Sequence, residues 1–339
     1  MYKFNNLNQA LIGMSKELLS KGVKRKTRGF DCYELPTPVL ICIENPSDRY
    51  INIPERKWNK MLPFVESLWL ALGLNDLDEL PGNYVKNLYN FSDDGRTWRA
   101  GYAPRFRFYS GFMNDYDISN RKHGHIISGR TGVIDQFKYI VESFERDINT
   151  RQAVISIADP AKDCFDTDGK LKVTKDYPCT RSLHFQVNTD GELDMIVDMR
   201  SNDVLWGFSA INLFNFMLIQ EYFANIIGVP VGKYYHKADN FHFYDNFRSK
   251  LELFAQYDIT AYPEQEKFFY KSKILSLNSF DKLIETLFDY EKSLRIKGQD
   301  YIVDFGNDMF NDWAKVFYHY WTKKEVEFEN PYLNKLFYD

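Results

Sequence analysis

The chain has 339 residues, of which 44% are hydrophobic and 27% charged, so it can bury a substantial core in one large domain or two ordinary ones. The formal net charge of −4 excludes a global basic field that would draw the protein onto nucleic acid or a membrane, and any bound anion must be held by local groups. The first residues lack the apolar core of a signal peptide, and no run approaches a membrane span. The four cysteines and six histidines show no metal-ligand spacing. We therefore expect free thiols, no metal site and a cytoplasmic location.

The first part of the chain alternates helical and strand patterns. Apolar residues at helical spacing predict a helix over 8–19 and a second, buried helix over 61–73. The β-branched run at 38–44 predicts a buried strand. Lysines and arginines at 24–29 indicate a basic loop, and the mixture of Gly, Asp, Arg and aromatics over 88–107 is typical of an irregular functional loop.

The second part continues the alternation around a polar insertion at 162–176, where Asp168-Gly169 predicts a surface turn. Apolar residues at helical spacing predict helices over 134–146, 213–227, 281–295 and 308–320. Short apolar or alternating runs predict strands over 152–157, 182–187, 193–199 and 233–244. These elements indicate a single α+β domain with a C-terminal helical extension.

A cysteine and an arginine carry the strongest chemical signal. Cys179 follows Pro178 at the junction between a polar segment and a strand, whereas a structural cysteine more often lies inside an apolar run, as Cys42 does. The thiolate is the nucleophilic form, and a nearby guanidinium favours it. Arg200-Ser201 combines a bidentate guanidinium with a hydroxyl, which suits a phosphate. Taken alone, either feature could also be structural, as a buried thiol and a solvated strand end.

The order of segments resembles the thymidylate synthase family from about residue 28 to residue 244, nearly two thirds of the chain. The motifs that carry the resemblance are Arg28-Gly29, Glu66-Ser67-Leu68-Trp69-Leu70, Gly101-Tyr102, Asn149-Thr150-Arg151, Pro178-Cys179, Arg200-Ser201-Asn202-Asp203-Val204 with Gly207, and Asp239-Asn240-Phe241-His242-Phe243-Tyr244. The resemblance implies a large mixed sheet flanked by helices. It also implies a catalytic domain over 1–245, with a helical extension over 246–339 packed on the same domain.

The resemblance further implies an enzyme that transfers one carbon unit to C5 of a pyrimidine nucleoside 5′-monophosphate. Cys179 would add to C6 of the ring and turn C5 into a nucleophile towards the co-substrate 5,10-methylenetetrahydrofolate. Glu66 would organise water and proton transfers, and Tyr102 would assist removal of the C5 proton.

The resemblance also assigns binding roles and implies a homodimer with shared active sites, without a membrane or nucleic-acid partner. Phosphate contacts are implied for Arg28, Arg200, Ser201 and, from the partner subunit, Arg151. Base and ribose contacts are implied for Asn212, His242 and Tyr244. Folate contacts are implied for Asp203 and Trp69. The family usually has a second arginine after Arg151, where this chain has Gln152.

Three features favour a hydroxymethyl product over a methyl product. Thr180 follows the nucleophile where synthases usually have histidine, and the 199–208 segment resembles the viral hydroxymethylase branch. The segment 88–91 contains no tryptophan where synthases carry a shielding one, although Trp98 could fill the same space. Reductive methylation of dUMP by a thymidylate synthase stays open, as does a non-catalytic nucleotide-binding homologue.

The identity of the base is less strongly determined by the sequence. The family uses Asn for uracil and Asp for cytosine shortly after the glycine that Gly207 matches. Asn212 is the nearest candidate but falls one residue late, so that an insertion is required; without the insertion the position is Ile211. His184 stands near where the family usually has a glutamine. Uracil is favoured, with cytosine and a ribonucleotide substrate left open.

Overall fold

Two β-sheets with helices packed around them make up the described chain. This computed structural model describes residues 1–27, 29–111, 113–116 and 133–338. The strands are β1 (Tyr2–Phe4), β2 (Val23–Thr27), β3 (Phe30–Glu34), β4 (Val39–Ile43), β5 (Val154–Ser156), β6 (Thr180–Val187), β7 (Leu193–Met199), β8 (Asn202–Asp203), β9 (Val231–Ala238) and β10 (Phe241–Tyr244). The α-helices are α1 (Leu7–Lys21), α2 (Leu62–Leu72), α3 (Pro81–Tyr84), α4 (Tyr102–Arg107), α5 (Gln136–Arg146), α6 (Pro160–Asp163), α7 (Leu213–Ile227), α8 (Arg248–Ala255), α9 (Leu277–Lys297), α10 (Asp308–Thr322) and α11 (Pro331–Tyr338). A π-helix covers Val204–Asn212.

The larger sheet is mixed and has the strand order β1-β4-β9-β7-β6-β5. β7 pairs antiparallel with β6 and parallel with β9. Alternate residues of these strands, among them Leu183, Phe185 and Val197, are fully buried on one face. The apolar helix α7 packs against that face at β7 and β9 and closes the core between sheet and helices.

The smaller sheet has the order β2-β3-β10-β8 and is joined to the larger one by short connections. β7 leads into β8 through Arg200 and Ser201, and β9 leads into β10 through a turn at Asp239 and Asn240. Strand β8 pairs parallel with β10, so that Asp203 lies opposite His242. The two sheets therefore meet where the polar motifs of the sequence are concentrated.

The predicted α+β class is confirmed, while two predicted loops and one strand need correction. Within the basic segment expected to be a loop at 24–29, the residues up to Thr27 belong to β2 instead. Lys24 and Arg25 are exposed there and pair with carboxylates on β3. Cross-strand ion pairs therefore stabilise a strand that lacks an alternating apolar pattern. The irregular 88–107 segment contains α4, and the strand predicted over 233–244 is two strands.

The residues after 245 contact the rest of the chain closely. Helix α9 packs on α2, and α10 packs on α9. Trp313 of α10 is 2% exposed and donates its indole N–H to the Phe64 carbonyl at 3.2 Å. Arg107 of α4 donates to Asp281 of α9 at 2.9 Å. These contacts support the prediction that 246–339 packs on the same domain as 1–245. None of the helices in the described ranges is long and apolar enough to cross a membrane.

Replacing Trp313 tests whether the extension unfolds together with the rest of the chain. The Trp313→Ala variant should lose about 3–5 kcal/mol of unfolding free energy, because it removes a large buried ring that faces α2. Urea unfolding should remain a single transition. Leu275→Ala, at a position 86% exposed, is the control and should change stability by less than about 0.5 kcal/mol. Two separate transitions, with only one affected by Trp313→Ala, would show an independently folding extension.

Candidate active site

The antiparallel pairing of β6 with β7 brings the candidate nucleophile next to the candidate phosphate ligand. Thr180 lies opposite Met199, and the backbone N–H of Arg200 donates to the Cys179 carbonyl at 2.9 Å. The two motifs, separated by about twenty residues of sequence, thus occupy the same end of one strand pair.

The Arg200 guanidinium contacts several groups of the segment that carries the nucleophile. Its Nε donates to the Pro178 carbonyl at 2.9 Å and its Nη2 to the Tyr177 carbonyl at 3.2 Å. Nη2 also lies 3.6 Å from Cys179 Sγ. The guanidinium carbon stands 5.0 Å from the centre of the Tyr177 ring. A cation held this close to sulfur favours the thiolate, and the half-buried Cys179 remains partly accessible.

Tyr102, at the start of α4, is bound to the residue next to the nucleophile. Its hydroxyl oxygen accepts the backbone N–H of Thr180 at 3.2 Å. Burial, with the adjacent Cys179 as a further cause, raises the pKa of Tyr102, so the phenol stays neutral at physiological pH. The Thr180 side chain is fully buried and lies within hydrogen-bonding distance of the Tyr102 hydroxyl.

Glu66 presents an uncompensated carboxyl on α2. Burial raises the pKa of Glu66 from 4.5 to about 8, and Oε2 lacks a hydrogen-bond partner within the described ranges. Trp69, one turn further on, is 1% exposed and donates its indole N–H to the Asp76 carbonyl at 3.0 Å. It packs edge-on against Trp98 at 5.6 Å between ring centres. The described contacts of Trp69 are therefore core contacts, and its predicted folate role stays a prediction.

The β8–β10 pair holds a second carboxyl beside the ribose candidates. Asp203 caps the π-helix, where Oδ1 accepts the N–H groups of Leu205 at 2.8 Å and Trp206 at 2.5 Å. Burial nevertheless raises the pKa of Asp203 to about 6, and its Oδ2 is buried without a partner in the described chain. His242 is 8% exposed, and its ring lies edge-on to that of Tyr244 at 5.3 Å.

The π-helix accounts for the position of Asn212. A π-turn spans i to i+5 and holds one residue more than an α-turn. Gly207 and Asn212 have this spacing, and a Cβ added at Gly207 would lie 3.3 Å from Asn212 Nδ2. The same Cβ would clash with Asn202 Nδ2, so both amides lie against the glycine. Asn202 is 3% exposed, and its Oδ1 is unpartnered in the part of the chain described.

Arg151 is not part of this cluster in the single chain. It is exposed and precedes β5, whose Val154 pairs with His184 of β6. The Arg151 backbone is hydrogen-bonded to the His184 side chain. His184 stands five residues after Cys179, roughly 16 Å along the extended strand β6. Arg28 lies outside the described residues. Ser201 is half-buried and lies between Arg200 and the first residue of β8.

Arg56 is a residue of this region that the sequence motifs did not indicate. Its Nε donates to Ser209 Oγ at 3.1 Å and its Nη2 to the Leu205 carbonyl at 2.8 Å. Burial lowers the pKa of Arg56 to about 10, and the charge of Asp203 opposes that shift. No motif surrounds Arg56, so only the packing of its loop on the π-helix could reveal it. Among the described residues no group of His, Cys, Asp and Glu could hold a metal ion.

Comparison with known proteins agrees with this geometry. The sequence profile of thymidylate synthase matches residues 52–300. The chain belongs to the thymidylate synthase family. The match extends past the domain boundary predicted at residue 245 and includes α8 and α9.

Phage proteins are among its similar relatives. The chain is 31% identical to the deoxyuridylate hydroxymethyltransferase of Pseudomonas phage M6 over 77% of its own length and 66% of the relative's. It is 34% identical to the protein of the same name from Bacillus phage SP01 over 74% of its length and 61% of the relative's. A putative thymidylate synthase of Methanocaldococcus jannaschii matches 33% of the chain at 32% identity. The chain thus spans less than two thirds of the phage relatives.

The raised pKa of Glu66 predicts a pH-dependent stability. Between pH 4.5 and 8 the folded protein holds a proton on Glu66 that the unfolded chain has released, so stability falls as pH rises through this window. Glu66→Gln should remove that loss and be more stable than wild type at pH 8 by on the order of 1–2 kcal/mol, with the difference shrinking towards pH 5. Urea unfolding from pH 5 to 8 measures it, with exposed Glu252→Gln as control. A difference independent of pH would contradict the assignment.

Proposed function

We propose that the protein hydroxymethylates C5 of a pyrimidine nucleoside 5′-monophosphate, with dUMP favoured, using 5,10-methylenetetrahydrofolate. The observation that carries the proposal is the 3.6 Å contact between Arg200 Nη2 and Cys179 Sγ. It places beside the nucleophile a guanidinium that can both stabilise the thiolate and bind a phosphate. The similarity to two phage deoxyuridylate hydroxymethyltransferases supports the same chemistry.

The site has groups suited to the folate co-substrate. Asp203 offers a buried, unpartnered Oδ2 within the described chain. A carboxylate of this kind suits the N–H groups of a pterin ring. When bound, methylenetetrahydrofolate supplies the one-carbon unit at the oxidation level of formaldehyde. We propose that Trp69 supports the folate site indirectly, through its contact with Trp98.

The side chains of the site have distinct tasks in the proposed reaction. The Cys179 thiolate forms a bond to C6, which places carbanion character on C5 and lets it bond to the one-carbon unit. Tyr102 assists transfer of the C5 proton, and Glu66 holds a proton and orders water, as its raised pKa allows. The bonds between the one-carbon unit and the two folate nitrogens break, and these nitrogens take up the C5 proton and one proton of water, so that tetrahydrofolate leaves. The water oxygen bonds to the exocyclic carbon, and the S–C6 bond breaks to release the Cys179 thiolate.

Thr180 supports addition of water rather than hydride. Its buried hydroxyl lies beside the Tyr102 hydroxyl, and the residue stands directly after the nucleophile. A hydroxyl in this state can hold a water molecule against the exocyclic carbon, because it both donates and accepts. With hydroxymethylation the folate leaves as tetrahydrofolate, whereas methylation would oxidise it to dihydrofolate.

Phosphate binding is proposed to involve a second copy of the chain. Arg200 and Ser201, with Arg28, would bind the phosphate within one subunit. Arg151, which lies beside His184 and roughly 16 Å along β6 from Cys179, is proposed to reach the site of a partner subunit. The outer face of the larger sheet is incompletely covered in the single chain, where Leu40 is 37% exposed. A sheet face of this kind is usually buried against another layer, which supports a homodimer.

Product analysis of the Cys179→Ser variant and wild type tests the reaction. Wild type should convert dUMP with methylenetetrahydrofolate to a nucleotide heavier by one CH2O unit, without forming dihydrofolate. Cys179→Ser should lose turnover on the order of 10³-fold or more while still binding nucleotide, because a hydroxyl is a weaker nucleophile. Cys164→Ser, at the other half-buried cysteine, should stay active. A gain of one CH2 unit, with dihydrofolate, would identify a thymidylate synthase instead. Turnover of Cys179→Ser near wild type would eliminate the covalent mechanism.

Substitution of Asn212 tests the proposed recognition of the base. An amide can accept from N3–H and donate to O4 of uracil, whereas a carboxylate suits the cytosine amino group. Asn212→Asp should therefore shift the ratio of kcat/KM from dUMP towards dCMP by on the order of 10²-fold. Asn212→Ala should weaken both substrates without favouring dCMP. An unchanged ratio in Asn212→Asp would show that another residue reads the base.

A further inference from the structure

A buried carboxylate joins two arginines that flank Tyr102 in the sequence. Asp163 Oδ1 accepts from Arg99 Nη2 at 3.0 Å and from Arg105 Nη2 at 2.8 Å. Asp163 Oδ2 accepts from Arg105 Nη1 at 2.7 Å. The side chains of Arg99, Arg105 and Asp163 are 6%, 0% and 5% exposed. We call these three residues the Asp163 clamp.

The charges of the clamp depend on one another. Burial acts to raise the pKa of Asp163, but hydrogen bonds and charge from Arg105 and Arg99 outweigh it and hold this pKa below the usual value. The carboxylate is therefore ionised between two guanidinium groups. Removing its charge leaves fully buried Arg105 beside a neutral partner, and it leaves Arg99 with half-exposed Asp115, 3.0 Å away, as its ion-pair partner. Buried charges without compensation disrupt their surroundings.

The clamp reaches the nucleophile segment through Arg99. Arg99 Nε and Nη2 donate to the Asp176 carbonyl at 3.3 and 3.2 Å. In return, Asp176 Oδ2 accepts the backbone N–H of Ala100 at 2.8 Å. Asp176, three residues before the nucleophile, is thus hydrogen-bonded to the turn that leads into Tyr102.

Two arginines hold the nucleophile segment from different sides. Arg99 binds the carbonyl of Asp176, and Arg200 binds the carbonyls of Tyr177 and Pro178. Every carbonyl from 176 to 178 therefore accepts from a guanidinium. Beyond Cys179, the Thr180 N–H returns to the Tyr102 hydroxyl. The relative placement of Cys179 and Tyr102 thus depends on a closed set of bonds in which Asp163 orients both arginines that flank Tyr102.

We propose that Asp163 is a positioning residue that sets the geometry between Cys179 and Tyr102 through Arg99 and Arg105. It touches neither the thiol nor a substrate. The expected effect on kcat rests on the proposed function, whereas the expected effect on the reactivity of the Cys179 thiol does not depend on turnover.

The Asp163→Asn variant tests this positioning role because it keeps the shape of the side chain and removes the charge. Its kcat should fall at least about tenfold with KM for nucleotide nearly unchanged, since displacements of about 1 Å at reacting groups can cost on the order of 10²-fold in rate. The alkylation of Cys179 by iodoacetamide, followed against pH and corrected with Cys179→Ser, should reach half its maximal rate at a higher pH. That shift is expected because a loosened segment weakens the contact with Arg200.

The matched control is Glu221→Gln, which neutralises another buried carboxylate paired with an arginine. Glu221 Oε2 accepts from Arg49 Nη2 at 2.5 Å, with side-chain exposures of 8% and 3%. Glu221→Gln should lose comparable thermal stability but keep the wild-type alkylation profile and kcat.

An Asp163→Asn variant with the alkylation profile of wild type, or Glu221→Gln with the same changes as Asp163→Asn, would overturn the positioning role. If Asp163→Asn does not fold, Arg99→Lys gives the same decision. It keeps the cation but cannot bind Asp163 and the Asp176 carbonyl in the same forked geometry, and an unchanged alkylation profile would again refute the inference. Wild type that is alkylated normally but has no turnover would refute the proposed function alone.

Discussion

The register between β6 and β7 is the constraint on which the rest of the site depends. It places Arg200 beside Cys179, with the N–H of one bound to the carbonyl of the other at 2.9 Å. Because β7 runs directly into β8, the same register fixes where Asp203 meets His242 of β10. A slip of one residue in β6 would turn every side chain of that strand to the opposite face. Fully buried Leu183 and Phe185 prevent such a slip in the inner part of the strand pair. An irregularity between Thr180 and Ser182 then shifts the pairing by one residue at the end that carries Cys179.

Two contrasting kinds of buried carboxyl group occur among the described residues. Asp163 and Glu221 are each paired with arginine and stabilise packed regions. Glu66 and Asp203 each keep an oxygen without a partner in the described chain, and burial raises the pKa of both. An uncompensated buried carboxyl lowers stability near neutral pH, and such groups are characteristic of sites where a proton or a ligand is handled. The distinction separates structural acids from those that face the proposed chemistry.

Much of the fold and the central part of the site could be predicted from sequence, because both are expressed in local patterns. The strands around Cys179 and Arg200 have alternating apolar residues, and helix α7 is strongly apolar. The hairpin strand β2 was missed because its five residues are all exposed and depend on ion pairs with β3. The Asp163 clamp could not be predicted from sequence either, because Asp163 lies far from the two arginines in the chain. The polar residues over 162–176 also resemble an ordinary surface loop. Burial of such residues is decided by tertiary packing, which no local pattern reports.

The π-helix offers a structural explanation for the sequence position of Asn212. Asp203 caps its first turn through two N–H groups, and α7 continues from its end as a regular helix. The additional residue is absorbed between these fixed points by a wider turn, a geometry often found at functional sites. Gly207 lets Asn202 and Asn212 approach the same spot, which a side chain there would occupy. The wider turn fits the proposed role of Asn212 in reading the base, although this residue stands one position later in the sequence than the family pattern implies.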